Sequence, residues 1–197
     1  MDGWPRLPAP PIAVGARLPA ASPARPLIRP GGPADGPALA AHVRALSPAS
    51  RRNRFLGGVN ELSAGEIARI TGGHGGRLRA LVASLDGPGG QVLAGEALVA
   101  RGDDGRTAEF ALSVADDWRR QGLGSRLLNR IALAALGFGA ARLAGETLRD
   151  NEAMTGLALA NGFTVRTHPD DARLLLIERQ VMIPALIAGL AAEGACG

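Results

Sequence analysis

The chain has 197 residues and is 46% hydrophobic, which suffices for one domain with a sizeable core and is short for two. Its net charge of +4 rests on 22 basic residues, all Arg, that alternate with 18 acids and form no basic block interleaved with aromatics, so nucleic acid is not an expected partner. With no signal-peptide pattern and no 18-residue apolar run, the chain is expected to be cytoplasmic and to have no membrane partner, and its single cysteine, Cys196, rules out an intrachain disulfide and argues against a Cys-based metal site.

Nine of the fourteen prolines fall within the first 33 residues, so residues 1–25 read as a flexible Pro/Ala-rich tail. Leu27 to Arg29 is a short strand candidate. Asp35 offers an N-cap for a helix with apolar positions at Leu39, Val43 and Leu46. Ser47-Pro48 is a second helix start, and Ser63-Ala64-Gly65-Glu66 is a capping box that opens a third helix to Ile70. The period then changes. Leu78 to Ala83 and Val92 to Val99 read as the strands of a hairpin around the turn Asp86-Gly87-Pro88-Gly89-Gly90. After the turn at Gly102-Asp103-Asp104-Gly105, Thr107 to Val114 forms a strand with Phe110, Leu112 and Val114 on one face and Glu109, Ala111 and Ser113 on the other.

A helix through Leu127, Leu128, Ile131, Leu133 and Leu136 follows and ends near Gly137 or Gly139. Arg142 to Leu148 reads as a strand, Asn151 caps a helix to Asn161 with Gly162 as its stop, and Phe163 to Thr167 with Arg173 to Val181 make a last strand pair. Residues 182–197 form a short apolar tail that can dock as a helix, pack in a homodimer or fray. The fold class is α/β, a mixed central sheet flanked by helices. No internal repeat interrupts it.

The run from Phe110 to Leu128 joins a strand, the loop Arg119-Arg120-Gln121-Gly122-Leu123-Gly124-Ser125 and a helix. Its glycines let the backbone approach a phosphate, the helix N-terminus presents unpaired N–H groups and a positive dipole end to a pyrophosphate, and Arg119, Arg120 and Arg126 add charge. The spacing is not the GxGxxG of a dinucleotide site, and without any lysine a P-loop is excluded. It resembles the [RQ]-x-x-G-x-[GA] signature of the GNAT acetyltransferases, met by Arg119, Gly122 and Gly124. Asn151-Glu152-Ala153-Met154 with Gly162-Phe163 resembles the last helix of that family. The segment Leu46-Ser47-Pro48-Ala49-Ser50-Arg51-Arg52-Asn53-Arg54-Phe55 resembles the LSpxSxxxRF stretch in GNAT domains of bacterial Pat-type protein lysine acetyltransferases.

The resemblance covers about residues 26–181 and implies a GNAT domain in which the parallel strands near 107–114 and 142–148 splay, so that the pantetheine arm of acetyl-CoA inserts between them. Backbone amides near Val114, with Leu112, would meet that arm. The amides of Gln121, Gly122, Leu123, Gly124 and Ser125 would hold the pyrophosphate beside Arg119 and Arg120, and Asn151 would position the arm or the leaving thiolate besides capping its helix. The implied activity is acetyl transfer to a primary amine by direct attack, with acetyl-CoA as cosubstrate and no metal. A lysine amine has a pKa of about 10.4 and needs a base near neutral pH. Glu109 matches the family's strand glutamate and is the expected general base. The family's tyrosine acid is replaced by Ala158, so solvent must protonate the thiolate or the domain only senses acetyl-CoA. The acceptor is expected to be a protein lysine, with a small-molecule amine as the alternative. His42, His74 and His168 are expected at the surface.

Overall fold

A computed structural model describes residues 25–72, 76–87 and 90–181. Seven strands make one sheet: β1 (Leu27–Pro30), β2 (Leu78–Gly87), β3 (Gly90–Arg101), β4 (Thr107–Val114), β5 (Arg142–Leu148), β6 (Thr164–Thr167) and β7 (Leu174–Gln180), in the order β1-β2-β3-β4-β5-β7-β6. The helices are α1 (Gly36–Ala45), α2 (Pro48–Phe55), α3 (Ala64–Thr71), α4 (Leu123–Leu136) and α5 (Glu152–Ala160). All strand pairs are antiparallel except β4 with β5.

Two apolar clusters hold the layers together. On one face Leu39 of α1 and Ile70 of α3 pack on Ala80, Val82 and Leu93. On the other, α4 turns Leu127, Leu128 and Ile131 onto Ala97, Val99, Phe110 and Leu143. Those three α4 side chains are 0% exposed, and each contributes about 1.5–3 kcal/mol. Such anchoring fixes where the N-terminus of α4 points.

The β4–β5 pairing sets up the site. It consists of the rungs Thr107↔Arg142, Ala108↔Leu143 and Glu109↔Ala144, and there it stops. β4 stays paired with β3 as far as Val114, and β5 stays paired with β7 as far as Leu148. Each strand is thus held on its outer side while the inner edges, Phe110–Val114 and Gly145–Leu148, part company. The bulk at the fork is the Phe110 ring, seated where a Gly145 side chain would be. A Cβ on Gly145 would lie 2.8 Å from that ring and 3.1 Å from the Phe110 carbonyl oxygen. The open edges leave backbone polar groups that need partners.

The Ser63–Glu66 capping box, the Ser47 cap and the Asn151 cap all form as the sequence suggests. Asp35 does not cap α1. Its carboxylate instead accepts from Arg29 at 2.6 and 2.9 Å and from the Gly32 amide at 2.8 Å, because a short 3-10 turn carries it back toward β1. His42 is not a surface residue, since α1 lies on β3 with this side chain facing down, at 4% exposure. His168 is partly covered and accepts from the amides of Asp170 and Asp171 in its own turn. His74 and the tails at 1–24 and 182–197, including any dimer contact through the latter, lie outside the described residues. No described helix is long and apolar enough to cross a membrane.

Candidate active site

The fork opens into a cavity of about 890 Å³, lined by the inner edges of β4 and β5, the loop after β4, the start of α4, one side of α5 and part of α2. Its floor toward α4 is backbone. Gly122 adopts φ +78°, a left-handed conformation that lets the chain turn sharply into the helix, and Arg120 at φ +56° helps the turn. The helix's first bond runs from the Arg126 amide to the Gly122 carbonyl at 3.1 Å, so the amides of Leu123, Gly124 and Ser125 precede it, and Gly124 and Ser125 line the cavity. Gly124 has a second reason to be small. A Cβ there would lie 2.9 Å from Leu157 of α5, which packs against the turn.

The guanidinium of Arg119 does not float free. Its Nη2 donates to Ser50 Oγ at 2.5 Å and lies 2.9 Å from Asp116 Oδ1, while Asp116 also accepts from the Ser47 amide at 2.9 Å and the Ser50 hydroxyl at 2.7 Å. Burial would lift the Asp116 carboxyl, but these donors outweigh it and hold it below its usual range. The loop is thereby tied to the first turn of α2. Arg120 remains exposed at the rim, and Gln121 donates to the Asp117 carbonyl rather than facing inward.

The opposite wall holds a buried polar cluster. Glu96 of β3 lies across the ladder from Ser113 of β4 and is 3% exposed. Arg54 of α2 donates to it through Nε at 2.6 Å and Nη2 at 3.3 Å. Ser113 Oγ lies 2.9 Å from Glu96 Oε1 and 2.8 Å from His42 Nε2, and His42 Nδ1 lies 3.1 Å from the Leu93 carbonyl. Burial would raise the Glu96 carboxyl, but the charge and hydrogen bonds of Arg54, with His42 and Ser113, hold it below the usual carboxylate range. Burial pushes the His42 imidazole below its ordinary value, against the pull of Glu96.

Leu112, Val114, Arg119, Arg120, Gly122, Gly124, Ser125 and Asn151 all line the one cavity. Leu123 turns its side chain into the core at 2% exposure, and neither it nor Gln121 is among the residues that line the cavity. Glu109 sits elsewhere, exposed at the last paired rung and not among the lining residues. Asn151 uses both ends of its amide, accepting from the Met154 amide at 3.2 Å and donating to Thr147 Oγ1 at 2.9 Å. Ala158 is fully buried, and α5 faces the cavity with Met154 and Leu157. Glu96 was missed in the sequence. Its one signal is a lone carboxylate within the apolar run Val92 to Val99.

The profile of the Acetyltransferase (GNAT) domain family matches residues 76–165. A mycothiol acetyltransferase of Thermobifida fusca is 39% identical over 95 residues, which is 48% of this chain and 28% of that protein, so the chain spans little more than a quarter of that relative. An acetyltransferase of Pseudomonas aeruginosa is 29% identical over 130 residues, covering 66% of this chain and 70% of that one. Among solved structures, the GNAT domain of S. lividans PAT superposes with a TM-score of 0.70 at 25% identity, covering 78% of this chain and 89% of that domain. An acetyltransferase of Salmonella typhimurium, solved with acetyl-CoA, shares the fold with a TM-score of 0.63 at 20% identity, over 81% and 95% of the two chains.

Proposed function

We propose that this chain, whose residues 76–165 match the Acetyltransferase (GNAT) domain family, moves an acetyl group from acetyl-CoA to a primary amine, a protein lysine, with residues 26–181 as the catalytic unit. The observation that carries the reading is the fork between β4 and β5, which ends in the left-handed turn at Gly122 and the first amides of α4. An extended, amide-bearing arm can complete the unpaired edge near Leu112 and Val114, and a pyrophosphate can take the helix-start amides with Arg119 and Arg120 nearby. Asn151, on the cavity wall, holds Thr147 and α5 in place beside the arm.

Glu109 is the general base in this reading. It stands at the rung where the strands part, exposed to solvent, where an arriving ammonium group would meet a carboxylate. Loss of one proton frees the amine lone pair, which attacks the thioester carbonyl carbon as the carbon–sulfur bond breaks. The resemblance of Leu46 to Phe55 to the Pat-type protein lysine acetyltransferases favours a protein lysine acceptor, and the similarity to an enzyme named for mycothiol keeps a small-molecule acceptor as the second reading.

The test is to incubate the chain with acetyl-CoA and a panel of lysine peptides, polyamines and aminoglycosides, reading released thiol and product masses. Transfer to peptides supports the first reading and transfer to small amines alone the second. Tight acetyl-CoA binding without turnover on any amine would assign a binding module instead.

A further inference from the structure

One buried cluster has no task in holding acetyl-CoA. His42, Glu96 and Ser113 are 4%, 3% and 7% exposed, and their donors and acceptors do not balance with ordinary charges. The Leu93 carbonyl can only accept, so His42 Nδ1, 3.1 Å away, carries the proton of a neutral ring. His42 Nε2 then has only a lone pair for the Ser113 hydroxyl at 2.8 Å. The one hydroxyl proton of Ser113 cannot serve both that lone pair and Glu96 Oε1 at 2.9 Å. Three contacts require three protons, whereas a neutral imidazole and a hydroxyl bring two. The cluster is spaced for one proton more.

Arg54 bonds both oxygens of Glu96 and keeps that carboxylate ionised, which directs the additional proton to His42. The charged groups around the ring are Glu96 on β3 and Asp116 after β4, which favour an imidazolium, and Arg54 on α2, which opposes it as burial does. The proton has a prepared place and is held there loosely. Ser113 and Arg54 line the cavity, with His42 and Glu96 behind them.

We propose that His42, Ser113 and Glu96 form a proton relay that takes the second proton from the attacking nitrogen and returns it to the departing thiolate, the task left open by Ala158. The inference rests on the amine acetyltransferase reading. An ammonium acceptor must lose two protons to become an amide. The first leaves at the last β4–β5 rung, to Glu109. Once the carbon–nitrogen bond has formed, the nitrogen gives its second proton to Ser113 Oγ while the Ser113 proton passes to His42 Nε2. As the carbon–sulfur bond breaks and sulfur keeps the electron pair, the same path runs backward and yields the thiol. Glu96 stays ionised throughout, orienting the hydroxyl and balancing the imidazolium. Ser113 and Glu109 share a face of β4 but stand four residues apart, about 13 Å, so the two steps are separable.

The experiment compares the full chain with Ser113→Ala, Ser113→Thr and Glu109→Gln. It reads turnover, acetyl-CoA affinity, and the His42 imidazole titration by nitrogen NMR. Ser113→Ala is expected to lower turnover by roughly 10²–10⁴-fold at unchanged acetyl-CoA affinity, to abolish the His42-dependent limb of the pH–rate profile, and to shift the His42 titration. Ser113→Thr keeps the hydroxyl and should restore most of the rate, which a purely structural role for the serine would not require. Glu109→Gln should lower turnover with the His42 titration unmoved. An active wild type whose Ser113→Ala form stays within about twofold of it, or whose His42 titrates identically in both, overturns the relay and leaves the acetyltransferase reading intact. A wild type that binds acetyl-CoA but acetylates no amine overturns both.

Discussion

The glycine loop after β4 and the buried His42–Glu96–Ser113 cluster flank the same strand end and are built in opposite ways. The loop is seven consecutive residues, Arg119 to Ser125, whose useful groups are backbone amides and whose path needs positive φ at Arg120 and Gly122. The cluster draws on α1, α2, β3 and β4, with His42 and Ser113 71 positions apart, and apart from the Leu93 carbonyl everything useful in it is a side chain. A backbone site tolerates changes that keep its path, whereas a side-chain site fails when one member is removed. Perturbing each in turn tests that contrast.

The largest effect should come from Glu96→Leu, which strands the Arg54 guanidinium in a buried place without its carboxylate. Loss of one partner of a buried pair costs about 3–5 kcal/mol, and denaturant unfolding should show a loss of that order. Adding Arg54→Met should recover much of it, because no uncompensated charge then remains.

Gly122→Val comes next. The left-handed conformation costs a residue with a Cβ roughly 1–2 kcal/mol, and a branched one sits at the upper end. No side chain crowds the position, so the domain should still fold. Calorimetry should show weakened acetyl-CoA binding, while the His42 titration stays as in the unaltered chain.

Acid should act on the cluster and spare the loop. Burial lowers the folded His42 pKa, so the unfolded chain takes up a proton near the ordinary value of 6.5 that the folded form resists. Stability is therefore full above that pH and falls below it. The lowered carboxyl of Glu96 adds a further loss as pH drops below its ordinary 4.5 and then through the folded value. Melting temperatures from pH 8 down to 4 should decline in this order, and His42→Gln should flatten the upper part.

The smallest effect belongs to Arg52→Ala. The Arg52–Asp150 pair bridges α2 to the end of β5 at 2.9 Å, but both side chains are more than half exposed. Its loss should cost under about 1 kcal/mol and vanish at high salt.

What was legible in the sequence follows the same contrast. The glycine loop, the caps at Ser47, Ser63 and Asn151 and the strand hairpin are set by neighbours within a few residues, and the splayed parallel pair near 107–114 and 142–148 follows from the family resemblance those motifs carry. His42 reads as a surface residue because α1 alone does not say which face meets β3. Asp35 reads as a cap because the competing Arg29 comes from a neighbouring strand. Glu96 reads as an ordinary strand residue because its partners Arg54 and Ser113 arrive from α2 and from the adjacent strand, the latter through the rung Glu96↔Ser113. Partners brought by sheet register carry no local mark.

The bridge from Arg119 through Ser50 and Asp116 to the Ser47 amide makes the phosphate loop and the first turn of α2 one mechanical piece. If the loop takes the phosphates of acetyl-CoA as proposed, they would compete with Asp116 for Arg119, and filling the loop would loosen or reset the α2 wall of the cavity. The consequence lies in kinetic order: acetyl-CoA should bind first and the amine second, with free CoA competing against acetyl-CoA and not against the amine. Asp116→Asn would weaken the tie and let the two substrates arrive in either sequence.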